Sequence, residues 1–565
     1  MAKWIEPDKK KTEKLMKDSR LKHLSEAVVS ILANRGYDTP ESILSFLDTD
    51  IKKLHDPFLF RDMKKAVQIV KSTLLGNGKI IIYSDFDNDG VCSAALLKVC
   101  LEQVGGDVSV YTNNRFEDGY GMCVNGVNNI LSAYPDVKLI ITADNGIMCH
   151  ESIDYAKSKG IKVIVTDHHE AGETIPEADA VIDAKVEGET YPFKEMCGAG
   201  VAFKLMMALY QDYGLDIRKV YKHLDLVALA TVGDVVPLID ENRIMVEKGL
   251  LLINTKKKAA FRILHEATAL KDEVDSYTLG FIYTPMINAI SRLNGSPDEA
   301  IEMLISNNDE SIRETANTLK KLNEERKALT EKQFELALSM INEDFPDEII
   351  ILFDEEFHEG IVGLLAGKIK ERFNRPTIIL TKVDGALKGS CRSIDGLHLK
   401  ETLDKVSHLL EKYGGHAKAA GLSLKEENLE EFKKAMLEIV KAELTEDDFT
   451  RKYQIDCVLT AGELTLDIVS DLKTLEPYGE GFKKPVLKLS KFGAINNPFY
   501  MGKEKNHVKL EGTKVSVIMW NGAEEYRSCG EPKNFSALGY PGINEYNNQR
   551  SLQFFVNDGN YRFES

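Results

Sequence analysis

The alternation of strand-like and helix-like segments between residues 79 and 210 is the feature that most constrains the fold. Short β-branched runs, KIIIY (79–83), KLIITA (138–143) and KVIVT (162–166), are separated by segments with helical periodicity. Parallel strands need crossover connections of this kind, and helices usually supply them. The pattern therefore predicts an α/β domain whose parallel sheet is covered on both faces.

Further domains follow the first. Residues 309–343 are largely polar and contain no Gly or Pro, which is typical of a long helix that joins two domains. Beyond residue 448, short strand-like runs alternate with Gly, Asn and Pro, which predicts a small β-barrel. With 565 residues the chain needs several hydrophobic cores. The predicted domains are an N-terminal helical arm (1–75), a first α/β domain (76–308), a connecting helix (309–343), a second α/β domain (344–447) and a β-barrel (448–565).

Charge and aromatic residues are unevenly distributed along the chain. The formal net charge of −17 argues against a protein that coats nucleic acid with a basic surface. Residues 451–565, however, hold 15 Lys and Arg against 14 Asp and Glu, together with 15 aromatic residues. This end predicts a separate binding module, with Trp520, Phe499, Tyr500 and Tyr546 as candidate contacts. A β-domain with a large aromatic core would have the same composition.

The sequence favours a reduced, cytoplasmic protein without membrane contact. No apolar run is long enough to cross a bilayer, and the start, MAKWIEPDKKKTEK, lacks the apolar core of a signal peptide. Eight cysteines occur without any C-x-x-C pair, so neither a zinc ribbon nor a disulfide framework is indicated.

Acidic residues and a histidine pair follow the strand-like runs of the first α/β domain. Ligands of open parallel sheets bind beyond the carboxyl ends of the strands, so these side chains are expected to meet. One further aspartate lies in TVGDVVPL, after an apolar helix. The residues concerned are Asp85, Asp87, Asp89, Asp144, Asp167, His168, His169 and Asp234.

Three interpretations of this acidic cluster can be weighed. An EF-hand calcium loop is excluded because its twelfth position is Leu96 instead of Glu and because a strand precedes it. A covalent phosphoenzyme gives no role to Asp144 or to the histidine pair. Carboxylates with imidazoles favour Mn²⁺ or Mg²⁺, and there are enough ligands for the two ions typical of displacement at phosphorus. Asp89 could instead only cap the following helix.

DFDNDG, ADNG, TDHHE and TVGDVVPL resemble the four motifs of the DHH phosphoesterase family. HEGIVGLLAGKI (358–369), KGSCRSI (388–394), YGGHAKAAGLSL (413–424) and LEPYGEGFKKP (475–485) resemble, in the same order, the branch of that family that degrades single-stranded DNA. The resemblance implies a DHH domain, a DHH-associated α/β domain and an OB-like barrel. The chain departs from the family pattern at Tyr83, Met286, Ser291 and Phe482.

The resemblance also implies roles for individual residues. It implies metal ligands at Asp85, Asp87, Asp144, His168 and Asp234, and catalytic groups at His169, His416 and Asp89. It implies substrate contacts at Arg115, Arg292, Ser390, Arg392, Gly414 and Gly415. These assignments suit their chemistry, since Arg can grip a phosphate with two hydrogen bonds and glycine allows close backbone approach.

The function that follows from the resemblance is hydrolysis of single-stranded DNA from its 5′ end to nucleoside 5′-monophosphates, in DNA repair and recombination. Two Mn²⁺ or Mg²⁺ ions would serve as cofactors, and a helicase and a single-strand-binding protein are expected partners of a monomeric enzyme. A phosphoesterase for short oligonucleotides or pAp-like nucleotides is the alternative. A non-catalytic replication scaffold on the same fold is a third interpretation, which the intact ligand set disfavours.

Overall fold

The computed structural model describes residues 3–115, 118–342, 347–383, 385–546 and 549–562, and the side chains of residues 294, 546 and 557–562 lie outside this description. The chain divides into two compact units. The smaller unit comprises Met1–Thr49, Thr450–Tyr478 and Lys483–Ser565, and the larger comprises Asp50–Phe449 and Gly479–Phe482. The predicted arm, 1–75, is thus divided between the two units.

The strands of the described residues are β1 (Lys3–Ile5), β2 (Lys79–Ser84), β3 (Val108–Thr112), β4 (Val137–Ala143), β5 (Lys162–Thr166), β6 (Ala180–Ile182), β7 (Ile350–Phe353), β8 (Thr377–Val383), β9 (Ala386–Arg392), β10 (Lys412–Gly415), β11 (Ala419–Leu424), β12 (Lys452–Gln454), β13 (Cys457–Thr460), β14 (Leu487–Gly493), β15 (Phe499–Met501), β16 (His507–Glu511), β17 (Val515–Met519), β18 (Asn534–Tyr546) and β19 (Gln549–Arg562).

The α-helices of the described residues are α1 (Lys9–Leu15), α2 (Glu26–Asn34), α3 (Pro40–Leu47), α4 (Met63–Leu75), α5 (Asn88–Gln103), α6 (Val124–Ala133), α7 (His150–Ser158), α8 (Gly198–Asp212), α9 (Arg218–Tyr221), α10 (Leu224–Gly233), α11 (Asp240–Asn254), α12 (Ala259–Ala267), α13 (Ser276–Thr278), α14 (Thr284–Asn294), α15 (Asp298–Ile305), α16 (Asp309–Ser339), α17 (Val362–Phe373), α18 (Leu399–Lys405), α19 (Leu429–Glu443), α20 (Leu466–Leu472) and α21 (Ala523–Ser528). A π-helical turn, Leu279–Tyr283, precedes α14.

The first sheet of the larger unit is parallel, in the order β3-β2-β4-β5-β6. Strand β2 is buried along its whole length, and its side chains alternate between two cores. Ile80 and Ile82 pack with α4, α5, α8 and α10, whereas Ile81 and Tyr83 pack with α6 and α7. Helices therefore cover both faces of this sheet, as predicted for a strand of continuous β-branched residues.

The second sheet of the larger unit has the order β10-β11-β9-β8-β7, with β7 and β8 parallel and the other pairs antiparallel. Helix α16 joins the two α/β domains. Its first half contributes Ile312, Ala316 and Leu319 to the first core, and Ala337 near its end packs with α17 and the second sheet. The helix therefore has a role in both cores, which explains its length.

The smaller unit is built on a seven-stranded sheet with the order β13-β14-β18-β19-β17-β16-β15. The N-terminal residues are part of this unit, since β1 pairs with β12 and the Arg35 guanidinium binds both carboxylate oxygens of Asp456, at 2.8 and 2.9 Å. All eight cysteines are free thiols, as expected. Among the described residues, no helix combines the length and the apolar character that crossing a bilayer requires.

Candidate metal centre and phosphate pocket

Three adjacent strands of the first sheet end in the predicted acidic residues. Asp85 follows β2, Asp144 follows β4, and the segment from Asp167 to His169 follows β5. The backbone pairing continues past the strand ends, because Asp85 N–H donates to Ala143 O and Asp144 N–H donates to Thr166 O, both at 3.1 Å. The acidic residues are thereby aligned at the carboxyl edge of the sheet, where ligands of such folds bind.

Two glycines allow this edge to be tightly packed. A Cβ at Gly90 would lie 2.4 Å from the carbonyl oxygen of Asp85, and a Cβ at Gly198 would lie 2.6 Å from Cβ of Asp144. Any larger residue would push a predicted metal ligand out of place. Glycine at both positions therefore allows α5 and α8 to begin directly against the acidic cluster.

The side chains converge in three overlapping groups, and within each group the potential ligand atoms lie within 4.8 Å of one another. Asp144 and His168 each occur in two of the groups, so they connect the whole cluster. The groups are Asp85 with Asp87 and Asp144, Asp144 with His168 and His169, and Asp89 with His168 and Asp234. This arrangement brings all five predicted metal ligands together, with Asp89 and His169 beside them.

The donor atoms fit divalent cations. The Oδ1 atoms of Asp85 and Asp144 are buried and accept no hydrogen bond from the described residues. Burial, followed by the charges of neighbouring aspartates, raises the pKa values of Asp85, Asp144 and Asp234 well above the usual range. Buried, unpaired carboxylates that repel one another are costly unless a cation binds them. Oxygen-rich sites with an imidazole suit Mn²⁺ and Mg²⁺.

The two histidines have opposite electrostatic environments. Burial lowers the pKa of His168 to about 3, which leaves the imidazole in the neutral form that binds metals. Burial would also lower the pKa of His169, but its hydrogen bond with Asp167 and the nearby carboxylates raise it to about 9. Nδ1 of His169 lies 2.7 Å from Asp167 Oδ1 and 2.9 Å from the Tyr120 hydroxyl. His169 is therefore held as a hydrogen-bond donor next to the cluster.

Asp89 does not cap the helix that follows β2. Asp87 is the N-cap of α5 and accepts hydrogen bonds from Asp89 N–H (2.9 Å) and Gly90 N–H (3.2 Å). Asp89 accepts hydrogen bonds from the first two backbone N–H groups of α8, those of Gly198 (2.6 Å) and Ala199 (2.8 Å). The capping interpretation of Asp89 is therefore wrong. Asp89 fixes the position of α8 and adds a carboxylate 3.7 Å from Nε2 of His168.

The predicted phosphate contacts line one cavity of 340 Å³, beside the start of α17. Arg115, Arg292, Ser390 and Arg392 all face it, although they come from a loop, from α14 and from β9. Arg392 donates hydrogen bonds to Ser390 Oγ (3.0 Å) and to the Cys391 carbonyl (2.8 Å), which holds its side chain along the strand. Arg292 donates to the Gly360 carbonyl at 3.0 Å.

The beginning of α17 also lines this cavity. Val362, Gly363 and Leu364 line it, and a Cβ at Gly363 would come within 3.1 Å of Ser390 Oγ and 3.2 Å of an Arg392 nitrogen. The first N–H groups of a helix have no partner within the helix and favour anions. Together with the arginines, they make the cavity suitable for a phosphate group.

The metal centre and the phosphate pocket are neighbours. Phe86 lies between Asp85 and Asp87 in the chain, and its ring is 4.9 Å from the guanidinium carbon of Arg115. The Asn88 N–H donates to Oδ1 of Asn288 (2.7 Å), which connects the acidic loop to the helix that carries Arg292. A phosphate bound in the pocket would therefore lie close to the aspartates.

The GGH segment lies at the end of β10. Gly415 has φ of 140°, and a Cβ there would meet Ala419 O and Ala420 Cα at 2.5 Å, so this position needs glycine. Gly414 has open space beside it. His416 is largely exposed, and its partial desolvation, followed by the charge of Lys185, lowers the pKa of its imidazole.

Sequence reasoning missed several residues that hold this site together. Asp167 was named in the acidic cluster but given no role of its own, yet it accepts hydrogen bonds from the N–H groups of Ile147 (2.9 Å), His168 (2.8 Å) and His169 (3.2 Å). Asn288 and Tyr120 were not selected, and nothing in their local sequence marks them as site residues. Tyr120 could have been suspected from its place in RFEDGYG, close to Arg115.

Comparison with known proteins identifies the domains of the chain. Family models match as "DHH family, N-terminal domain" at residues 79–231, "DHHA1 domain" at 346–442 and "RecJ OB domain" at 455–558. The single-stranded-DNA-specific exonuclease RecJ of Bacillus subtilis is 33% identical over 560 residues, 98% of this chain and 70% of that protein. The RecJ of Dickeya dadantii is 37% identical over 461 residues, 78% of this chain and 80% of that protein. The crystal structure of Thermus thermophilus RecJ with Mn²⁺ has a TM-score of 0.84 at 26% identity, covering all of this chain and 80% of that one.

The fold and the acidic cluster define a metal-dependent phosphoesterase of the DHH class. Its second α/β domain and its OB domain confirm the predicted fold class. The chain belongs to the RecJ family of single-stranded-DNA-specific exonucleases.

Proposed function

We propose that this chain degrades single-stranded DNA from its 5′ end and releases nucleoside 5′-monophosphates, with Mn²⁺ or Mg²⁺ as cofactor. The observation that carries the proposal is the closeness of the phosphate pocket to the metal centre, with Phe86 between Asp85 and Asp87 packed against Arg115. A pocket that holds a terminal phosphate fixes which end of the strand reaches the metal centre. Cleavage then occurs a fixed distance from that end.

The roles of the residues follow from their positions. Asp85, Asp87, Asp144, His168 and Asp234 would hold the cations, which would supply an activated water and neutralise the charge that develops on the phosphate. His169, kept in place by Asp167, donates a hydrogen bond to the scissile phosphate.

The second α/β domain supplies groups from the other side of the cleft. Arg392 and Ser390 bind the terminal phosphate together with Arg292 and Arg115. Gly414 and Gly415 let the backbone approach the strand, and His416 adds a donor.

One face of the smaller unit supports a role in binding the strand. Phe499, Lys509, Ile518, Phe555 and Tyr540 are successive cross-strand partners from β15 to β18, so their side chains form one row on the same face of the sheet. Phe499 is exposed and Ile518 is buried. Stacking of bases on aromatic rings contributes about 1–3 kcal/mol per base without sequence preference, and Lys509 adds a cation for the backbone.

The other aromatic candidates differ in position. Trp520 is about half exposed and packs edge-on against His507 at 4.9 Å, next to the row. Tyr500 points to the opposite face of its strand from Phe499 and packs under Arg527 at 4.0 Å. The side chain of Tyr546 lies outside the described residues. Trp520 and Phe499 are therefore the better candidates for base contacts.

The finer biological setting belongs to the same proposal. We infer that the enzyme works as a monomer in the cytoplasm, where its DNA substrate lies. A helicase would supply single strands from duplex DNA, and a single-strand-binding protein would bind the strand that the enzyme degrades.

The test is digestion of a single strand labelled at its 5′ or its 3′ end, with Mn²⁺ or Mg²⁺. We expect immediate release of the 5′ label as a mononucleotide and late release of the 3′ label. Asp144→Ala should abolish release, while Asp216→Ala, at an exposed aspartate paired with Arg218, should not. Internal cuts or early loss of the 3′ label would refute the proposal, and a preference for dinucleotides over long strands would favour the short-oligonucleotide alternative.

A further inference from the structure

The helical segment that carries Arg292 begins with a pair of exposed aromatic residues. Tyr277 is 62% exposed and Phe281 is 66% exposed, and their rings stack with 4.8 Å between the centroids and 22° between the planes. Contiguous exposed apolar surface, unlike a single exposed side chain, points to a binding site. Phe281 also lies in the π-helical turn Leu279–Tyr283, and such turns recur at functional sites.

The aromatic pair lies on the same face of the helix as Arg292. α13, the π-helical turn and α14 follow one another without a break from Ser276 to Asn294. One stripe of residues that are not buried runs along this helix at intervals of three or four positions, the spacing of a single helix face. The stripe consists of Tyr277, Phe281, Pro285, Asn288 and Arg292.

This face of the helix passes the phosphate pocket and the metal centre in turn. Arg292 lines the pocket, and Oδ1 of Asn288 accepts a hydrogen bond from the acidic loop at 2.7 Å. One turn earlier, Thr284 lies against the end of α10, since a Cβ at Gly233 would be 2.6 Å from its Oγ1. The next residue of α10 is the predicted metal ligand Asp234. The aromatic pair is therefore on the far side of the metal centre from the phosphate pocket.

The length of the helix indicates which nucleotides could reach the pair. Phe281 precedes Arg292 by 11 residues, which corresponds to about 16 Å of helix. A stacked nucleotide rises only about 3.4 Å along its strand. A strand whose terminal phosphate lies at Arg292 would thus reach the pair only with nucleotides that follow the scissile linkage.

Val235 adds a third apolar side chain at this place. It directly follows Asp234, is 63% exposed and has φ of 61°, which is unfavourable for a β-branched residue. Its N–H donates to the carbonyl of Val232 at 3.4 Å, and a Cβ at Gly280 would lie 3.2 Å from Val232 Cγ1. Val235 is therefore held at the junction of α10 with the π-helical turn, where strained backbone is typical of a functional site.

The charges beside the pair favour bases over phosphates. Asp272, Glu273 and Asp275 precede Tyr277, and Asp275 caps α13 by accepting the Thr278 N–H at 2.8 Å. Carboxylates repel the phosphates of a strand. Bases are neutral, and they stack on aromatic rings without sequence preference. The surface therefore suits bases that turn away from their backbone.

We propose that Tyr277 and Phe281, with Val235 beside them, form a stacking surface for unpaired bases downstream of the scissile linkage. The inference rests on the proposed 5′ exonuclease function and adds a base-binding surface within the catalytic unit. Bases in a duplex are already stacked on their neighbours and cannot lie on such a surface. The aromatic pair would therefore contribute to the preference for single strands.

The experiment compares a long single strand with a dinucleotide, both 5′-phosphorylated, in the presence of Mn²⁺. The dinucleotide has one linkage and ends before the aromatic pair. We expect the double variant Tyr277→Ser/Phe281→Ser to raise KM for the long strand about tenfold at unchanged kcat, and to leave KM for the dinucleotide unchanged. Phe281→Tyr should retain the low KM, whereas Phe281→Leu, which keeps an apolar side chain without a ring, should not.

Leu75→Ser is the matched control. Leu75 is 79% exposed and ends α4 just before β2 begins, so it lies at the amino edge of the sheet, opposite the metal centre. This variant should digest both substrates as the unaltered protein does. Thermal melting checks that each variant is folded.

A strand with abasic residues after the first linkage tests for contacts with the bases themselves. We expect its KM to be about tenfold higher for the unaltered protein and to be changed little further by the double variant. An unchanged KM of the double variant for the long strand would assign the surface to another partner, such as a protein, and would overturn the inference. An equal rise in KM for the dinucleotide would overturn it too, since the variant would then disturb the metal centre. In both cases early release of the 5′ label by the unaltered protein keeps the proposed function, which fails only if that release is absent.

Discussion

The metal centre and the phosphate pocket are buried charge clusters of opposite sign. Burial and mutual repulsion raise the pKa values of Asp85 and Asp144, and the same two effects lower that of Arg292. The Lys204–Glu241 pair is buried more completely, but its charges neutralise each other, and Lys204 also donates to the His55 carbonyl at 2.9 Å. This difference indicates that the two like-charged clusters bind ligands of opposite charge, whereas the oppositely charged Lys204–Glu241 pair stabilises the fold.

This comparison leads to a general expectation about variants. Removing a charge from either like-charge cluster should impair activity and relieve repulsion in the ligand-free protein. Removing a charge from the internal pair should destabilise the fold.

Asp144→Asn should have the largest effect. Asp144 belongs to two of the three ligand groups, so its loss should lower kcat about a thousandfold, equivalent to several kcal/mol of transition-state stabilisation. In metal-free buffer the melting temperature should rise, because one of several mutually repelling carboxylates has been removed. Strand digestion and calorimetry measure the two effects, with Asp216→Asn as the exposed control. A melting temperature below that of the unaltered protein would contradict the expectation that removing one of several like charges stabilises the metal-free protein.

Lys204→Met should lower the free energy of unfolding by about 3–5 kcal/mol, because it leaves the Glu241 carboxylate buried without its partner. Urea denaturation measures this. Lys400→Met, which breaks the exposed pair with Asp404, is the matched control and should cost at most about 0.5 kcal/mol. If both variants lost the same stability, the buried pair would have no special role.

Arg292→Gln should raise KM for a 5′-phosphorylated strand about tenfold to a hundredfold, since charge-assisted hydrogen bonds to phosphate are lost. The effect on a 5′-hydroxyl strand should be smaller. The ligand-free protein should melt at a higher temperature because the repulsion of Arg292 by Arg115 and Arg392 is removed. Equal effects on both strands would show that Arg292 does not contact the terminal phosphate.

Asp167→Asn should have the smallest effect, a fall in kcat of about tenfold with KM unchanged. Asp167 accepts the N–H groups of His168 and His169 and pairs with Nδ1 of His169, so it orients a group that acts on the substrate. Manganese affinity, measured by titration calorimetry, should fall in parallel. If both kcat and the affinity for manganese were unchanged, Asp167 would not be needed to orient His169.

Much of the metal centre could be predicted because its residues follow strands that are adjacent in a parallel sheet. Asp85, Asp144 and His168 each come within two residues of the end of a β-branched run, and the carboxyl ends of such strands must meet at one edge. The alternative interpretation of Asp89, as the cap of the following helix, was wrong for a local reason. The backbone geometry after β2 makes Asp87 the N-cap of α5, and a sequence pattern does not determine that geometry.

The phosphate pocket was less predictable. Its arginines could be named only through the family resemblance, because residues 115, 292 and 392 are far apart in the chain and carry no local pattern. Only the packing of the loop of Arg115, of α14 and of β9 brings these side chains to one cavity.

The sequence by itself determined the α/β class, the order of the domains and the chemistry of the acidic cluster. These properties depend on local periodicity and on residues that a parallel sheet must bring together. The tertiary structure decided which carboxylate caps a helix, which histidine stays neutral and how many arginines share one cavity. Those outcomes depend on burial and on distances between elements remote in sequence, and such long-range packing sets the electrostatic environment of each group.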